Sequence, residues 1–289
     1  MIWTVAAFYK FVALPDCDTW RSPLLDRCWA ADLRGTILLA PEGINGTLAG
    51  SQQGIDQVLD YLRSDPRLAD MEPKWSTARA QPFQRLKVKL KSEIVTLNQP
   101  TADPTVQVGT YLTPEEWNQA IADPEVLVID TRNDYEVKIG SFAGAVNPQT
   151  QSFREFPDYV QRHLNPQNHR RVAMFCTGGI RCEKATAYLL SQGFEQVYHL
   201  RGGILKYLET IPEDESHWQG ECFVFDERVA VGHGLEPGSY ELCVACGHPI
   251  SPEDKAADTY ESGISCPHCW AEQTPEKRAR QQARHQQRK

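Results

Sequence analysis

The feature that most constrains this fold is an apolar run that ends abruptly at a cysteine. Residues 172–175 read Val-Ala-Met-Phe without a polar interruption, as expected of a strand buried on both faces of a parallel sheet. A helix is predicted to begin near Cys182, where helix-forming residues recur at helical spacing. Ligands of open α/β sheets bind at the carboxyl ends of strands. We therefore expect a functional site in the connecting loop, which consists of Cys176, Thr177, Gly178, Gly179, Ile180 and Arg181.

The residue types in this loop favour a thiolate at Cys176. The glycine pair lets the backbone curl so that its N–H groups point inward as an anion-binding nest. The N-terminus of the following helix and the guanidinium of Arg181 add positive potential. The Cys-x4-Arg spacing closes a tighter ring than the Cys-x5-Arg loop of cysteine phosphatases. It therefore suits a persulfide sulfur or a similarly small group better than a tetrahedral phosphate, and the thiolate is the nucleophilic form.

Two simpler interpretations stay open for this loop. Cys176 could be a buried structural cysteine that precedes an ordinary glycine turn. Cys182 could be a resolving thiol that forms a disulfide with Cys176 on oxidation, or only a small residue at a helix start. Cys17, Cys28 and Cys222 are interpreted as packing residues.

The chain of 289 residues predicts two domains and a small third module. Short strands interleaved with helical segments predict a ferredoxin-like α+β domain at 1–98, and the proline-containing segment 99–112 is predicted to be a linker. Thr113, Pro114 and Glu116 form a capping-box pattern that opens an α/β domain at 113–217. A cysteine-rich module at 218–274 and a basic tail at 275–289 complete the predicted organisation.

Two Cys-x2-Cys pairs separated by 19 residues have the spacing of a tetrahedral zinc knuckle. The predicted ligands are Cys243, Cys246, Cys266 and Cys269. Four thiolates leave no open coordination position, so we expect a structural rather than a catalytic zinc. An iron–sulfur cluster and reduced free cysteines are the alternatives.

Several landmarks resemble the rhodanese domain in their expected order. They are Asp130-Thr131-Arg132 with Tyr135 and Glu136, Gly144 to Asn147, the Cys176 loop, and Arg201-Gly202-Gly203-Ile204. In that family the loop cysteine carries a persulfide, which the resemblance transfers to Cys176. For Asp130, Arg132 and Glu136 we favour structural ion pairing over catalysis.

The flanking segments narrow the resemblance. Residues 39–47, 89–96 and 220–226, combined with the loop, are similar to the bacterial tRNA uridine hydroxylase family of rhodanese-domain proteins. The similarity covers nearly the whole chain. It implies oxygen-dependent formation of 5-hydroxyuridine at the wobble position, 34, of tRNA, with molecular oxygen as a co-substrate. The alternatives are a sulfurtransferase that carries a persulfide on Cys176 and a non-catalytic adaptor. We find no NAD, flavin or haem signature and no convincing iron triad.

Local basic clusters provide separate support for RNA contact, although the formal net charge is -8. Lys87, Lys89 and Lys91 project from one predicted strand face. The C-terminal tail carries Lys277, Arg278, Arg280, Arg284, Arg288 and Lys289. Such clusters bind phosphate without reading sequence, but a solvated strand face and a solubilising tail remain alternatives.

The sequence also bears on location. No apolar run approaches the ~18 residues of a transmembrane helix, and the start lacks the basic and apolar regions of a signal peptide. We therefore expect a cytoplasmic protein without membrane association. The oligomeric state stays open.

Overall fold

The N-terminal α+β domain folds as one mixed sheet with helices packed against it. The computed structural model describes residues 2–286. The elements of this domain are β1 Trp3–Phe11, α1 Cys17–Ala30, β2 Arg34–Ala40, β3 Gly43–Gly50, α2 Gln52–Arg63, β4 Lys74–Ala78 and β5 Leu86–Leu90.

The strand order confirms the ferredoxin-like prediction. Strands lie in the order β4-β1-β3-β2-β5. β1 pairs antiparallel with β3 and β4, and β2 pairs antiparallel with β3. The βαββαβ connectivity with order 4-1-3-2 is the ferredoxin-like arrangement, to which β5 adds a parallel edge strand beside β2.

The two faces of this sheet have different partners. Alternate residues of a strand point to opposite faces, and Ala6 and Phe8 of β1 share an apolar cluster with Ile55 and Leu59 of α2. Tyr9 belongs to the other face, which lines a cleft against the rest of the chain. One face of this domain therefore builds its core and the other contributes to a site.

The second domain is the expected α/β unit. Its sheet is parallel throughout, with strand order β6-β10-β9-β7. Its elements are β6 Thr110–Leu112, α3 Pro114–Ile121, β7 Val126–Asp130, α4 Asp134–Val137, β8 Gly140–Phe142, α5 Phe156–His163, β9 Arg171–Phe175, α6 Ile180–Ser191, β10 Gln196–Leu200 and α7 Gly203–Thr210.

Helices cover both faces of this sheet, which explains its uninterrupted apolar strands. Tyr188 and Leu189 of α6 share one apolar cluster with Met174 of β9. Trp117 of α3 and Tyr207 of α7 share another with Phe175 and Ala173. The capping box predicted at Thr113 is present, since the Thr113 hydroxyl accepts from Glu116 N at 3.3 Å and Glu116 Oε2 accepts from Thr113 N at 2.8 Å.

The segment predicted as a linker is partly integrated into the second domain. Thr110–Leu112 form the edge strand β6 beside β10, although they fall in the predicted linker at 99–112. Leu97 and Ala102 are buried in the core under α6. A three-residue strand is too short to show an alternating pattern, so sequence periodicity does not reveal it.

The first part of the region after residue 217 packs on the second domain, and its last part packs around the cysteine pairs. Its elements are β11 Trp218–Gly220, β12 Cys222–Phe223, β13 Ala230–Val231, β14 Glu241–Leu242, β15 Pro249–Ile250, α8 Pro252–Ala256 and α9 Pro275–Gln286. β11 pairs with β8, and the ring centroids of Trp218 and Phe142 lie 5.2 Å apart. The first part of the predicted cysteine-rich module thus completes the core of the second domain.

The predicted basic tail is helical where the structure describes it. In α9, Gln281 is buried and donates to the carbonyl of Ala245 at 3.3 Å. The helix therefore packs on the cysteine pairs. Arg288 and Lys289 lie outside the described residues. No helix in the described part of the chain combines the length and apolar character needed to cross a bilayer.

Candidate active site

The cysteine loop lies at the carboxyl end of β9, as the sequence predicts. β9 ends at Phe175, and α6 begins at Ile180. Gly179 adopts φ 99°, and a Cβ atom there would lie 2.9 Å from the Tyr9 hydroxyl. Gly179 is therefore required both for its backbone conformation and for the close approach of the first domain.

The loop surrounds Cys176 with groups that favour its thiolate form. The side chain is fully buried, and burial by itself raises the pKa of a thiol. Hydrogen bonding from Cys182, the charge of Arg181 and backbone N–H groups outweigh burial and lower the pKa of Cys176 to about 5. The N–H of Gly179 lies 3.1 Å from Cys176 Sγ. Burial and the neighbouring Cys176 raise the pKa of Cys182 well above its usual value.

Arg181, whose charge lowers the pKa of Cys176, is held by a carboxylate. Its two terminal nitrogens donate to Glu136 Oε2 at 2.7 Å and Oε1 at 2.8 Å, and Nη2 also lies 3.3 Å from the Thr177 hydroxyl. Burial raises the pKa of Glu136, but Arg181 outweighs it and the net pKa is lowered. This bidentate pair fixes the position of the guanidinium beside the loop.

Asp130 and Arg132 form a second buried ion pair. Arg132 Nη2 lies 2.6 Å from Asp130 Oδ2 and 2.6 Å from the carbonyl of Gly140. Ser141 Oγ donates to the same carboxylate at 2.9 Å. These contacts tie the end of β7 to β8, so this pair braces the sheet edge and makes no hydrogen bond to Cys176.

The segment Arg201-Gly202-Gly203 and the start of α7 support the backbone of the cysteine loop. The N–H groups of Ile204 and Leu205 donate to the carbonyls of Cys176 at 2.9 Å and Thr177 at 3.1 Å. Gly203 has φ 68°, and a Cβ there would lie 2.5 Å from the Cys176 carbonyl. The first amides of α7 are thus satisfied by the backbone of the cysteine loop.

Residues of the first domain also reach this loop, and sequence reasoning did not identify them. Tyr9 donates to Glu183 Oε1 at 2.7 Å, and Lys74 donates to the carbonyl of Gly178. Burial and Glu183 raise the pKa of Tyr9 well above its usual value, so the hydroxyl stays protonated. In the sequence, nothing distinguishes Tyr9 from other aromatic residues or Lys74 from other lysines.

A cleft of about 1240 Å³ opens above Cys176 between the two domains. Its walls include the loop, one face of β1 and β4, and the segment after β12. Phe225 stands at this wall with 63% of its surface exposed, and the guanidinium of Arg181 lies 5.9 Å from its ring. Lys91, Arg201 and Arg228 supply cationic side chains to the same cleft.

The other predicted basic residues are distributed over separate surfaces. Lys87 and Lys89 are exposed on β5, at the sheet edge opposite β4. Arg278 forms an ion pair with Glu261. Arg280 and Arg284 are exposed on α9.

The four predicted metal ligands converge. The sulfur atoms of Cys243, Cys246, Cys266 and Cys269 all lie within 4.8 Å of one another. Two of the separations are 3.7 Å, between Cys246 and Cys266, and 3.8 Å, between Cys266 and Cys269. Zn–S bonds of about 2.3 Å in a tetrahedron imply sulfur separations of about 3.8 Å. The cluster therefore fits a tetrahedral metal ion.

Comparison with known proteins agrees with this architecture. A profile described as a UPF0176 acylphosphatase-like domain matches residues 3–94, and a rhodanese-like domain profile matches residues 113–210. A Picosynechococcus sp. protein named tRNA uridine(34) hydroxylase is 61% identical over 98% of this chain and 95% of its own length. A protein of the same name from Teredinibacter turnerae is 59% identical over 96% of this chain and 86% of its own length. The chain belongs to the tRNA uridine(34) hydroxylase family.

Membership in the tRNA uridine(34) hydroxylase family confirms the resemblance inferred from the flanking segments. Solved structures add only a distant likeness. The solution structure of a rhodanese-like domain from an Anabaena sp. protein covers 38% of this chain and 78% of that chain, with 19% identity and a TM-score of 0.31.

Proposed function

We propose that this chain hydroxylates C5 of uridine 34 in tRNA and that Cys176 is its reactive thiolate. The observation that carries the proposal is the position of Cys176 in the lining of a cleft of about 1240 Å³, with a pKa lowered to about 5. Relatives that cover almost the whole chain bear the name of this activity.

The dimensions of the cleft suit a nucleotide rather than a small sulfur donor. Pockets of roughly 300–1,000 Å³ hold drug-sized ligands, so this cleft has room for an extruded uridine and part of its neighbours. Enzymes that act on a base read it outside the stack, against aromatic side chains. Phe225 is exposed beside Arg181, and we assign it the role of stacking platform.

Cys176 acts as the nucleophile in this proposal. Addition of the thiolate to C6 of uracil forms an Sγ–C6 bond and moves the C5=C6 electron pair toward C5 and O4. C5 thereby becomes the electron-rich atom that is oxidised. Loss of the C5 proton and expulsion of Sγ then restore the double bond, which leaves the hydroxyl on C5.

Molecular oxygen is the proposed source of the hydroxyl group. Insertion of one oxygen atom into the C5–H bond and reduction of the other to water consume two electrons and two protons. The reaction therefore requires a two-electron donor besides tRNA and oxygen, such as a pair of thiols that is oxidised to a disulfide.

The remaining features fit a tRNA substrate in the cytoplasm. We assign phosphate contacts to Lys91 and Arg201 in the cleft, to Lys87 and Lys89 on β5 and to Arg280 and Arg284 on α9. Arg228 is paired with Asp226 and Arg278 with Glu261, so any phosphate contact by these two arginines would compete with a carboxylate. We assign zinc to the four-cysteine cluster, because a closed four-thiolate shell with these separations suits a structural zinc ion. Such an ion would fix the support on which α9 packs and would take no part in the reaction.

Nucleoside mass spectrometry tests the proposal. tRNA is prepared from cells that lack this protein and carry either the wild-type chain, Cys176→Ala or Cys17→Ala. Cys17 is a buried thiol of the first domain, distant in sequence from the loop, and serves as the matched control. We expect 5-hydroxyuridine and nucleosides derived from it to be restored by wild type and Cys17→Ala, and to fall by at least about a hundredfold with Cys176→Ala.

Undiminished 5-hydroxyuridine in the deletion strain would overturn the proposed activity. Full restoration by Cys176→Ala would overturn the role of the thiolate alone. In the first case, thiosulfate-dependent sulfur transfer by the purified protein becomes the function to assay.

A further inference from the structure

Lys74 reaches the reactive loop from the other domain. It lies on the edge strand β4 and donates to the carbonyl of Gly178. A Cβ atom built on Gly178 or Gly202 would lie 3.7 Å from Lys74 Nζ or 3.9 Å from its Cε. The lysine therefore extends over both glycine turns, and its ammonium also lies 5.2 Å from the centre of the Tyr9 ring.

The carbonyl that Lys74 contacts belongs to the same peptide group that contacts the sulfur. The peptide between Gly178 and Gly179 accepts from Lys74 at its oxygen and donates from its nitrogen to Cys176 Sγ at 3.1 Å. Hydrogen bonds in such a chain polarise one another. A cation at the oxygen makes the N–H a stronger donor and so favours the charged form of its acceptor.

We propose that Lys74 is a positioning residue for Cys176, acting through the Gly178–Gly179 peptide to stabilise the thiolate. This inference rests on the proposed reactive role of Cys176. Through Lys74 the first domain contributes to the stabilisation of the thiolate. In the rhodanese-like domain alone, the thiolate form of Cys176 would be less stable.

Several other titratable or charged side chains lie around the Cys176 sulfur, and a test must leave these residues unchanged. They are Arg181, Cys182 and Glu183 on α6, Tyr9 on β1 and, through Arg181, Glu136 on α4. Burial lowers the pKa of Lys74 to about 8, and the charge of Cys176 opposes that shift. At neutral pH the lysine is therefore mostly an ammonium ion that can support the thiolate.

The test is a pH titration of Cys176 in the full chain without tRNA. The protein is labelled with ¹³C at cysteine Cβ, and the Cys176 resonance is identified by its absence in Cys176→Ser. Lys74→Met removes the cation, Lys74→Arg keeps a cation that can donate, and Lys89→Met makes the same charge change at the opposite edge of the sheet. Circular dichroism reports whether each variant is folded.

Loss of the Lys74 cation should raise the pKa of Cys176 by about one unit. Lys74→Arg and Lys89→Met should titrate close to wild type. If Lys74→Met does not fold, Lys74→Gln, which retains a neutral donor, should show a smaller upward shift. The proposal is overturned if the folded Lys74 variant has the same Cys176 pKa as wild type. It is also overturned if Lys89→Met shifts the pKa of Cys176 by the same amount as the Lys74 variant. Because no tRNA is present, a confirmed shift together with absent hydroxylation would overturn only the proposed function.

Discussion

At the residue scale, the charge of Cys176 depends on neighbours that outweigh its burial. A thiol in a dry site keeps its proton unless donors and cations favour the charged form. Here the donors are the Cys182 thiol and backbone amides, and the cation is Arg181. For Cys28 burial acts alone, and for Cys222 it outweighs the charge of Arg132. The pKa of each thiol is therefore raised to about 12. The loop therefore distinguishes Cys176 from these other buried thiols.

Glu136→Gln should be strongly destabilising at neutral pH. The Glu136 carboxylate is fully buried and pairs with both terminal nitrogens of Arg181. Removal of one partner leaves the other charge buried and unpaired, which typically costs about 3–5 kcal/mol. Urea unfolding at pH 7 measures the loss. Glu209→Gln, which removes an exposed partner of Lys206, should change the free energy of unfolding by less than about 1 kcal/mol.

The same pair predicts a pH dependence. The pKa of Glu136 is lower in the folded chain than its usual value, so its stabilisation is complete above about pH 4.3. It is lost as pH falls further, because protonation then favours the unfolded chain. The free energy of unfolding should decline with acid more steeply in wild type than in Glu136→Gln. Parallel profiles for the two proteins would contradict this assignment.

At the scale of elements, the site is the junction of two strand–turn–helix units. β9 leads through the cysteine loop into α6, and β10 leads through Gly202 and Gly203 into α7. The first amides of α7 bond to the carbonyls of the cysteine loop. The conformation of each turn therefore depends on the other, although the bonded residues lie 28 positions apart in the sequence.

Gly203→Ala should disturb this junction more than an equivalent change elsewhere. Its φ of 68° strains any other residue, and a Cβ would lie 2.5 Å from the Cys176 carbonyl. Gly193→Ala provides the control, since Gly193 has φ 88° but open space around its Cβ position. Strain alone costs about 1 kcal/mol or more. We expect Gly203→Ala to exceed the control by at least a further ~1 kcal/mol in urea unfolding. Equal losses would show that the turn accommodates the methyl group.

At the scale of the whole molecule, buried charge joins the two domains. Lys184 on α6 is 2% exposed and bonds to Glu42 Oε2 at 2.7 Å, to the carbonyl of Val95 at 3.0 Å and to Glu93. With Tyr9 and Lys74, this cluster fixes the first domain over the cysteine loop. The walls of the cleft therefore come from both domains.

Lys184→Met should loosen the domain contact. The change removes the cation that Glu42 and Glu93 share. Because both carboxylates are partly exposed and keep backbone N–H donors, we expect the contact to weaken by about 1–3 kcal/mol. Proteinase K should then cleave the connection at 99–109 faster than in wild type. Lys138→Met removes an exposed partner of Asp134 and should leave cleavage unchanged. Equal cleavage rates in Lys184→Met and wild type would show that other contacts hold the domains.

The sequence alone determined the features whose residues are neighbours in the chain. The apolar strand, glycine pair and arginine around Cys176 predicted the loop, and two cysteine pairs predicted the metal cluster. The alternation of strands and helices predicted both domain folds. These predictions succeed because local spacing fixes which backbone conformations and which side-chain groupings are possible.

Only the tertiary structure decided which distant residues complete the site. Tyr9 reaches Glu183 across 174 positions and Lys74 reaches Gly178 across 104. The partner of Arg181 also emerged only in three dimensions, since Glu136 lies 45 positions away. Such contacts leave no periodic signal, because they depend on how one folded domain packs on another. The chain order thus specifies the cysteine loop, and the packing of the two domains supplies further groups that surround it.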